Sequence, residues 1–394
     1  MFVTILLLAQ IVQSWPWLDS PLVQPGPTIC VGECAGPVVW GPAERGRLVV
    51  TCDMTSDTCS DGRKITTTRA TPVPCEVSPG VLEMVPEDTG CYSVRGLESW
   101  AANTSYLSWG AELDRSPWTV DAQASIAALP DGGYRVCHID PAAGNHGLRQ
   151  LLGGARPETL TVAAIARANT APSALIGAWS QFSTLTLPVS WNLVAVTKQT
   201  ASGASGQTFF YPRPAGQGRC IDLLATWLTH TDTPGRACWG GEAPVTCAAD
   251  RHTISTEGWP TTEGEISMVV ELNEPLSEGR NAWLFDGRDA GDLMGVNPYI
   301  QPDGRLRFRV AGTVYGSASP MLTWEVGRPY ALRFLRKGGQ TYIYRDGALV
   351  YSVATPDWAW VPSAHLGMNF SFTGPDVAIA IRSLTVRSYE EVSP

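Results

Sequence analysis

The chain has 394 residues and a formal net charge of −9, with 28 basic residues against 37 acidic ones. At roughly 100–200 residues per domain, this length allows two to four domains. The acidic balance and the lack of any Lys/Arg-rich block argue against a nucleic-acid binder. The 39 Gly and 30 Pro residues occur beside 44% hydrophobic residues, which excludes a wholly disordered chain and predicts turn-rich β structure.

Residues 1–28 form an apolar leader followed by a proline-rich arm. The apolar residues 1–12 are fewer than the ~20 needed to cross a bilayer, so no membrane span is predicted. Two interpretations stay open for them: a cleaved secretory signal peptide, or a retained anchor buried in a larger assembly. The prolines from Pro16 to Pro27 favour an extended arm, which on the second interpretation attaches the protein to its assembly.

The chain has an even number of cysteines, at Cys30, Cys34, Cys52, Cys59, Cys75, Cys91, Cys137, Cys220, Cys238 and Cys247. A zinc site is disfavoured, because the spacings of the first four are unusual for zinc and no His lies between Cys30 and Cys91. Five disulfides are therefore expected, which indicates a protein that functions outside a reducing cytosol. The spacing suggests the pairs Cys52–Cys59, Cys75–Cys91, Cys137–Cys220 and Cys238–Cys247.

The remaining chain divides into three predicted β regions. Residues 29–96 hold six cysteines and only short apolar runs, which predicts a small disulfide-rich β module. Residues 97–235 hold longer apolar runs separated by turn residues, which is typical of a β-sandwich. Residues 236–394 show period-two alternation, and Asp346-Gly347 predicts a hairpin. The fold class is all-β, with the module followed by two β-sandwich (jelly-roll) domains.

The segment 327–351 resembles the central hairpin of concanavalin A-like, laminin G-like jelly rolls, and 261–270 resembles the first strand of the same domains. The segment 102–119 looks like the opening of β-sandwich modules from bacteriophage tail and fibre proteins. The segments 228–235 and 246–250 are similar to the joint between such a module and a following jelly roll. These resemblances imply a virion structural protein, a homo-oligomer such as a trimer, and carbohydrate-binding-type domains.

No catalytic motif supports an enzyme. The Glu-x-Asp-x-x-Glu device of jelly-roll glycanases is absent from the sequence, and Glu271 and Glu274 fall on opposite faces of a strand. The nucleophile-elbow pattern Gly-x-Ser-x-Gly is absent too. We therefore expect a protein without catalytic residues.

Two candidate ligand sites fall in the last region. The loop with Asp286, Asp289 and Asp292 has the oxygen-rich character of a Ca²⁺ site, although Arg288 opposes a cation and Asp-Gly is ordinary turn chemistry. No other cofactor is predicted. Trp358 and Trp360 lie between prolines with both rings on one side of an extended segment, as a sugar-binding platform or as a hydrophobic cap.

The sequence favours one function over two alternatives. The first is a non-enzymatic component of a phage-like virion, in a fibre or as capsid decoration, located at the virion surface or extracellularly. Its partners would be other virion proteins, through the N-terminal arm, and a host-surface glycan. The second is a secreted bacterial surface lectin or adhesin with a cleaved signal peptide, and the third is a glycan-active enzyme.

Overall fold

The structure, a computed structural model, describes residues 47–78, 81–141, 144–152, 157–179, 181–199, 206–239, 242–288, 295–368 and 376–389. Within these ranges all regular secondary structure is β-strand, which confirms the predicted all-β class. The leader and arm, residues 1–28, lie outside the described residues.

The first fifteen strands in chain order are β1 (Arg47–Asp53), β2 (Ile65–Thr68), β3 (Val73–Ser78), β4 (Val81–Val85), β5 (Tyr92–Ser93), β6 (Gly96–Ser99), β7 (Asn103–Ser105), β8 (Trp118–Val120), β9 (Ala124–Ala128), β10 (Tyr134–His138), β11 (Leu148–Leu151), β12 (Thr159–Ala168), β13 (Ser173–Ala178), β14 (Gln181–Thr186) and β15 (Asn192–Gln199).

The remaining strands are β16 (Gln207–Arg213), β17 (Arg219–Thr229), β18 (Val245–Cys247), β19 (Arg251–Ser255), β20 (Gly264–Leu272), β21 (Ala282–Trp283), β22 (Phe285–Asp286), β23 (Asn297–Ile300), β24 (Leu306–Val310), β25 (Thr313–Tyr315), β26 (Pro329–Lys337), β27 (Gln340–Arg345), β28 (Ala348–Ala354), β29 (Ser363–Leu366) and β30 (Ile379–Ser388).

Strands β8 to β17 form the middle sandwich. Its two antiparallel five-stranded sheets have the orders β15-β12-β17-β10-β9 and β14-β13-β16-β11-β8. Apolar side chains from both sheets meet in one buried core, because alternate residues of the long apolar runs face inward. Core members include Val136, Leu148, Val162, Ile176 and Phe210.

The second sandwich, which we call the outer sandwich, packs three sheets around one core. The largest sheet has the order β28-β27-β26-β20-β30-β6-β5, and β1 also pairs with β30. The other two have the orders β2-β19-β29-β22 and β21-β23-β24-β25. The predicted hairpin is present as β27 and β28, and Asp346 at its tip has a left-handed backbone with φ of 51°.

The cysteine-rich region does not form a module of its own, contrary to the sequence-based division at residue 96. Strands β1 and β6 pair with β30, and β2 pairs with β19, so these strands complete the sheets of the outer sandwich, whereas β3 and β4 pair with each other. Its few apolar side chains, including Val50, Met54, Ile65 and Leu97, enter the core of that sandwich. A segment with so little apolar surface gains more by joining a large core than by closing a small one.

The middle sandwich is consequently inserted into the outer one. The chain leaves the outer sandwich after β6 and returns to it at β19, and β7 pairs with β18 where the two connections pass each other. The predicted boundary between the second and third regions, at residues 235 and 236, falls within the return connection.

Four disulfides confirm the four suggested pairs: Cys52–Cys59, Cys75–Cys91, Cys137–Cys220 and Cys238–Cys247. Cysteines at 30 and 34 lie outside the described residues. The third pair joins β10 to β17 at positions that are directly opposite in the sheet register. Such bonds are typical of proteins that work outside a reducing cytosol.

Candidate functional site

The four-stranded sheet β21-β23-β24-β25 has one face toward the core and one face away from it. Ala282, Leu284, Ile300, Leu306 and Phe308 point into the core. Alternation along the strands places the intervening side chains on the opposite surface, which we call the outer face. Its members on β21, β23 and β24 are Trp283, Asn297, Tyr299, Arg307 and Arg309, with Arg305 just before β24.

A row of three side chains crosses this face. Trp283 lies opposite Tyr299 in the register, and their ring centroids are 4.5 Å apart. Tyr299 in turn lies opposite Arg307 on β24. Both rings are largely buried, whereas Arg307 is half-buried. The row therefore has an aromatic pair at one end and a guanidinium group at the other.

The Tyr299 hydroxyl adds a free polar group to the row. No described residue forms a hydrogen bond with it. A tyrosine in a largely buried position usually finds a partner for its hydroxyl. The hydroxyl is therefore available to a ligand.

Asp376 lies at the aromatic end of the row. The indole Nε1 of Trp283 donates a hydrogen bond to Asp376 Oδ1 at 2.7 Å. Burial raises the pKa of this carboxyl group to about 6, while the Trp283 hydrogen bond and the Arg280 charge act in the opposite direction. The row thus includes a carboxyl group that changes charge near neutral pH.

Asn297 is the most unusual residue of the outer face. Its side chain is fully buried, and neither its amide oxygen nor its amide nitrogen has a hydrogen-bond partner among the described residues. A buried amide without partners costs free energy, and folded proteins pair nearly all such groups. It lies opposite Arg309 in the register. An unpaired amide beside unpaired cations makes this position a candidate ligand contact.

The arginines of the outer face differ in their pairing. Arg305 lies 3.5 Å from Asp303, whereas neither Arg307 nor Arg309 forms a hydrogen bond or ion pair with a described residue. Their Nε atoms are buried and without partners. Several other arginines of the outer sandwich are paired with carboxylates, for example Arg333 with Glu265.

The predicted Ca²⁺ loop begins next to this site. Hydrogen bonds from Leu284 N to Pro298 O at 3.1 Å and from Gly287 N to Val296 O at 2.8 Å bracket the positions of Asp286 and Asn297. The prediction of Asp286 as a metal ligand is wrong, because Arg288 binds both of its oxygens, through Nε and Nη2, at 2.8 Å each. Asp289 and Asp292 lie outside the described residues.

The described residues contain no group of three or more candidate metal-ligating side chains.

The prediction of Trp358 as an exposed sugar platform is also wrong. Its side chain is only 2% exposed, and its Nε1 lies 3.3 Å from Thr341 Oγ1. Trp360 is half-buried, with its ring centroid 4.9 Å from that of Trp259, and its Nε1 donates to Pro260 O at 2.8 Å. Both rings pack on the core, which agrees with the hydrophobic-cap alternative.

Trp283 has apolar neighbours in the sequence, which by themselves favour a position in the core. The signal that finds its true position is the alternation Ala282-Trp283-Leu284, in which the two flanking residues face the core and the tryptophan cannot. The same alternation places Arg305, Arg307 and Arg309 on the face opposite the core. No sequence pattern marks the unpaired amide of Asn297.

The carboxylates of Glu271 and Glu274 serve as partners for arginines. Glu271 Oε2 accepts a hydrogen bond from Arg382 Nη2 at 2.5 Å. Glu274 Oε1 accepts from Arg280, and also from the backbone N–H of Ala378 at 2.8 Å. Both side chains stabilise the sandwich by these contacts.

In the part of the chain that the structure describes, no helix is long and apolar enough to cross a membrane.

No protein-family model matches the chain. No curated protein matches it significantly either.

Several solved structures are similar to part of the chain. The carbohydrate binding module CBM66 from Bacillus subtilis has a TM-score of 0.27 and 15% identity, and the match covers 35% of this chain and 82% of that one. A structure of botulinum neurotoxin type C has a TM-score of 0.30 and 12% identity over 39% of each chain. The exoplasmic/lumenal domain of VIP36, in a Ca²⁺/Man3GlcNAc-bound form, has a TM-score of 0.26 and 11% identity over 37% of this chain and 76% of that one.

The match thus spans about two fifths of the neurotoxin chain.

Proposed function

We propose that the outer face of the sheet β21-β23-β24-β25 binds a glycan. The observation that carries this proposal is the set of unpaired polar groups on one surface: the Tyr299 hydroxyl, the Asn297 amide and the guanidinium groups of Arg307 and Arg309. Sugars present many hydroxyl groups, each of which both donates and accepts hydrogen bonds. Planar amide and guanidinium groups fit adjacent hydroxyls, since each offers several polar atoms in one plane.

We further propose that the protein uses this site for host-surface attachment, as a non-enzymatic component of a phage-like virion. A weak glycan site becomes effective when many copies are displayed together, because the effective concentration of the second contact is high. A homo-oligomeric fibre or capsid decoration supplies such copies. This role is supported by the sequence resemblance to tail and fibre modules and by disulfides suited to life outside a reducing cytosol.

The N-terminal arm is the proposed contact with other virion proteins. Deleting residues 1–28 is expected to abolish incorporation into particles while the remaining protein keeps its disulfides and its folding transition. If the truncated protein is incorporated at the normal level, the arm has no part in attachment to the particle.

A secreted surface lectin with a cleaved signal peptide is the second candidate, since the same site would serve it. The intact mass of the mature protein separates the two, because the lectin hypothesis requires loss of the leader.

The glycan site is tested by replacing Asn297 with leucine in the full-length protein. Leucine removes an unpaired buried amide while keeping a similar volume, so the free energy of unfolding should rise or stay unchanged. Binding of host-cell polysaccharide, measured on a glycan array, should fall. Higher stability together with lost binding is the pattern expected of a ligand-binding polar group.

Asn273 provides a matched control, because its buried amide also lacks partners among the described residues but follows β20 in the opposite sheet. Asn273→Leu should change stability in the same direction and leave glycan binding unchanged. Equal glycan binding by wild type and Asn297→Leu would contradict the proposed site.

A further inference from the structure

We infer that the outer face recognises an acidic sugar, through an oxyanion held by Arg307 and Arg309. This inference rests on the proposed function and names the class of glycan. The shared ligand chemistry is a carboxylate or a sulfate attached to a sugar ring.

The spacing of the two arginines suits one sugar. Residues two apart on a strand project from the same face and are ~7 Å apart along it. Arg307 and Arg309 both project from β24 on the face opposite the core. A single sugar ring with its substituents spans a similar distance, so both guanidinium groups can contact one residue of a glycan.

The two guanidinium groups also lack an acid of their own. Arg305 has Asp303 beside it, and Arg288 has Asp286, but no carboxylate of a described residue pairs with Arg307 or Arg309. In a chain with a net charge of −9, two adjacent half-buried cations without acid partners are a local exception. Their charge is therefore available to an anionic ligand.

Two ion pairs of this protein show how the Nε edge of a guanidinium group can bind a carboxylate. Arg135 donates from Nε to Asp222 Oδ1 at 2.8 Å and from Nη2 to Oδ2 at 3.1 Å, so a carboxylate occupies the Nε edge. Arg288 binds Asp286 by the same edge. The Nε atoms of Arg307 and Arg309 are buried but unpaired, so this edge has no partner in the free protein.

The residues opposite the two arginines would contact the sugar ring, while the arginines bind its anionic group. Tyr299 lies opposite Arg307, and Asn297 lies opposite Arg309. An oxyanion on the arginines would bring the ring hydroxyls against the phenol hydroxyl and the amide. The arginines then select for charge, while Tyr299 and Asn297 contact groups that neutral sugars also carry.

Binding to polymeric probes tests the inference on the full-length protein. The probes are polygalacturonate, its fully methyl-esterified form, dextran sulfate and dextran, together with an array of neutral glycans. We expect at least tenfold tighter binding of a charged probe than of its uncharged counterpart, because hydrogen bonds between charged groups are stronger than those between neutral groups. Preference for polygalacturonate assigns a carboxylate, and preference for dextran sulfate assigns a sulfate.

The variant Arg307→Gln/Arg309→Gln should remove this preference, so that it binds a charged probe and its uncharged counterpart with equal affinity. The control Arg47→Gln/Arg328→Gln makes the same change in net charge at two exposed positions of the outer sandwich, and should keep the preference. Loss of the preference in both variants would indicate a general charge effect and overturn the inference.

The outcomes separate this inference from the proposed function. Equal binding of charged and uncharged probes, or binding of neutral glycans alone, overturns the acidic-sugar inference and leaves the glycan site standing. Binding of no probe and no glycan on the array overturns both.

Discussion

Arg69 and Asp250 lie 181 positions apart in the chain, yet Arg69 Nη1 donates a hydrogen bond to Asp250 Oδ1 at 2.9 Å and both side chains are fully buried. Asp250 also accepts from Arg236 Nη1 at 2.9 Å and from the backbone N–H of Trp100 at 3.0 Å. Its carboxylate therefore joins the segment after β2, the end of β6, and the return connection from the middle sandwich. Despite burial, the two arginines lower the pKa of Asp250.

Replacing Asp250 with asparagine should destabilise the protein by about 3–5 kcal/mol, because two buried guanidinium groups lose their counter-charge. Urea unfolding at pH 7 measures the change. Glu325→Gln serves as the control, since the Glu325–Arg328 pair is exposed and is expected to contribute less than about 1 kcal/mol. Equal effects of the two substitutions would show that Asp250 does not hold the three segments together.

The raised pKa of Asp376 predicts that the stability of the folded protein decreases as the pH rises. Its pKa is about 6 in the folded protein and 3.8 in an ordinary setting, so the folded state binds the proton more tightly. The contribution of this group to stability is therefore largest below pH 4, falls as the pH rises through 6, and stays low above that. The Trp283 indole N–H resonance should titrate with a midpoint near pH 6, because Asp376 accepts its hydrogen bond.

Asp376→Asn removes the titrating group and keeps an oxygen that can accept from Trp283. The variant should show no midpoint near pH 6, and its stability relative to wild type should rise between pH 4 and pH 6 and change little above that. A wild-type midpoint near pH 4 would mean that Asp376 is not appreciably desolvated.

The disulfides should differ in how much they contribute to the free energy of unfolding, according to the lengths of the loops they close. Cys137–Cys220 has a sequence separation of 83, and Cys52–Cys59 has a separation of 7. Loop entropy predicts that replacing each pair with alanines costs about 4.5 and about 2.5 kcal/mol respectively. Thermal unfolding of the two double variants gives the comparison. A larger loss for the short loop would indicate that packing outweighs loop entropy at these sites.

Gly96 occupies a place that no larger residue fits. Its φ is 108°, and a Cβ atom there would lie 2.2 Å from the carbonyl oxygen of Ile381 on β30. Gly96→Ala should therefore displace β6 from β30. Gly62 has a similar φ of 85° with open space around it, so Gly62→Ala measures the conformational cost alone, about 1–2 kcal/mol.

Urea unfolding of the two variants should show a loss for Gly96→Ala that exceeds the loss for Gly62→Ala by at least about 1 kcal/mol, because only the former adds a steric clash with backbone. If the two losses are equal, β6 can shift without cost.

Local patterns in the sequence predicted local structure well. The turn residues Asp346-Gly347 predicted the hairpin, and short spacings suggested the pairing of Cys52 with Cys59. The pairing of β1 with β30 could not be predicted, because its hydrogen bonds join residues more than three hundred positions apart. The sequence of either strand alone does not determine which residues of the other strand lie opposite it. The outer face could not be predicted for the same reason. Asn297 and Arg309 lie opposite each other only because of the β23–β24 register, which the sequence does not determine.

The insertion of the middle sandwich fixes the order in which a ribosome can complete the two folds. Strands β8 to β17 leave the exit tunnel as one continuous series, so the middle sandwich has all its strands once Thr229 has emerged. Strand β1 must wait for β30, the last described strand, with its hydrogen-bonding edge open and Val50 uncovered. A translational pause after Thr229 would therefore prolong the exposure of an aggregation-prone edge, whereas a pause before β1 has emerged would leave that interval unchanged.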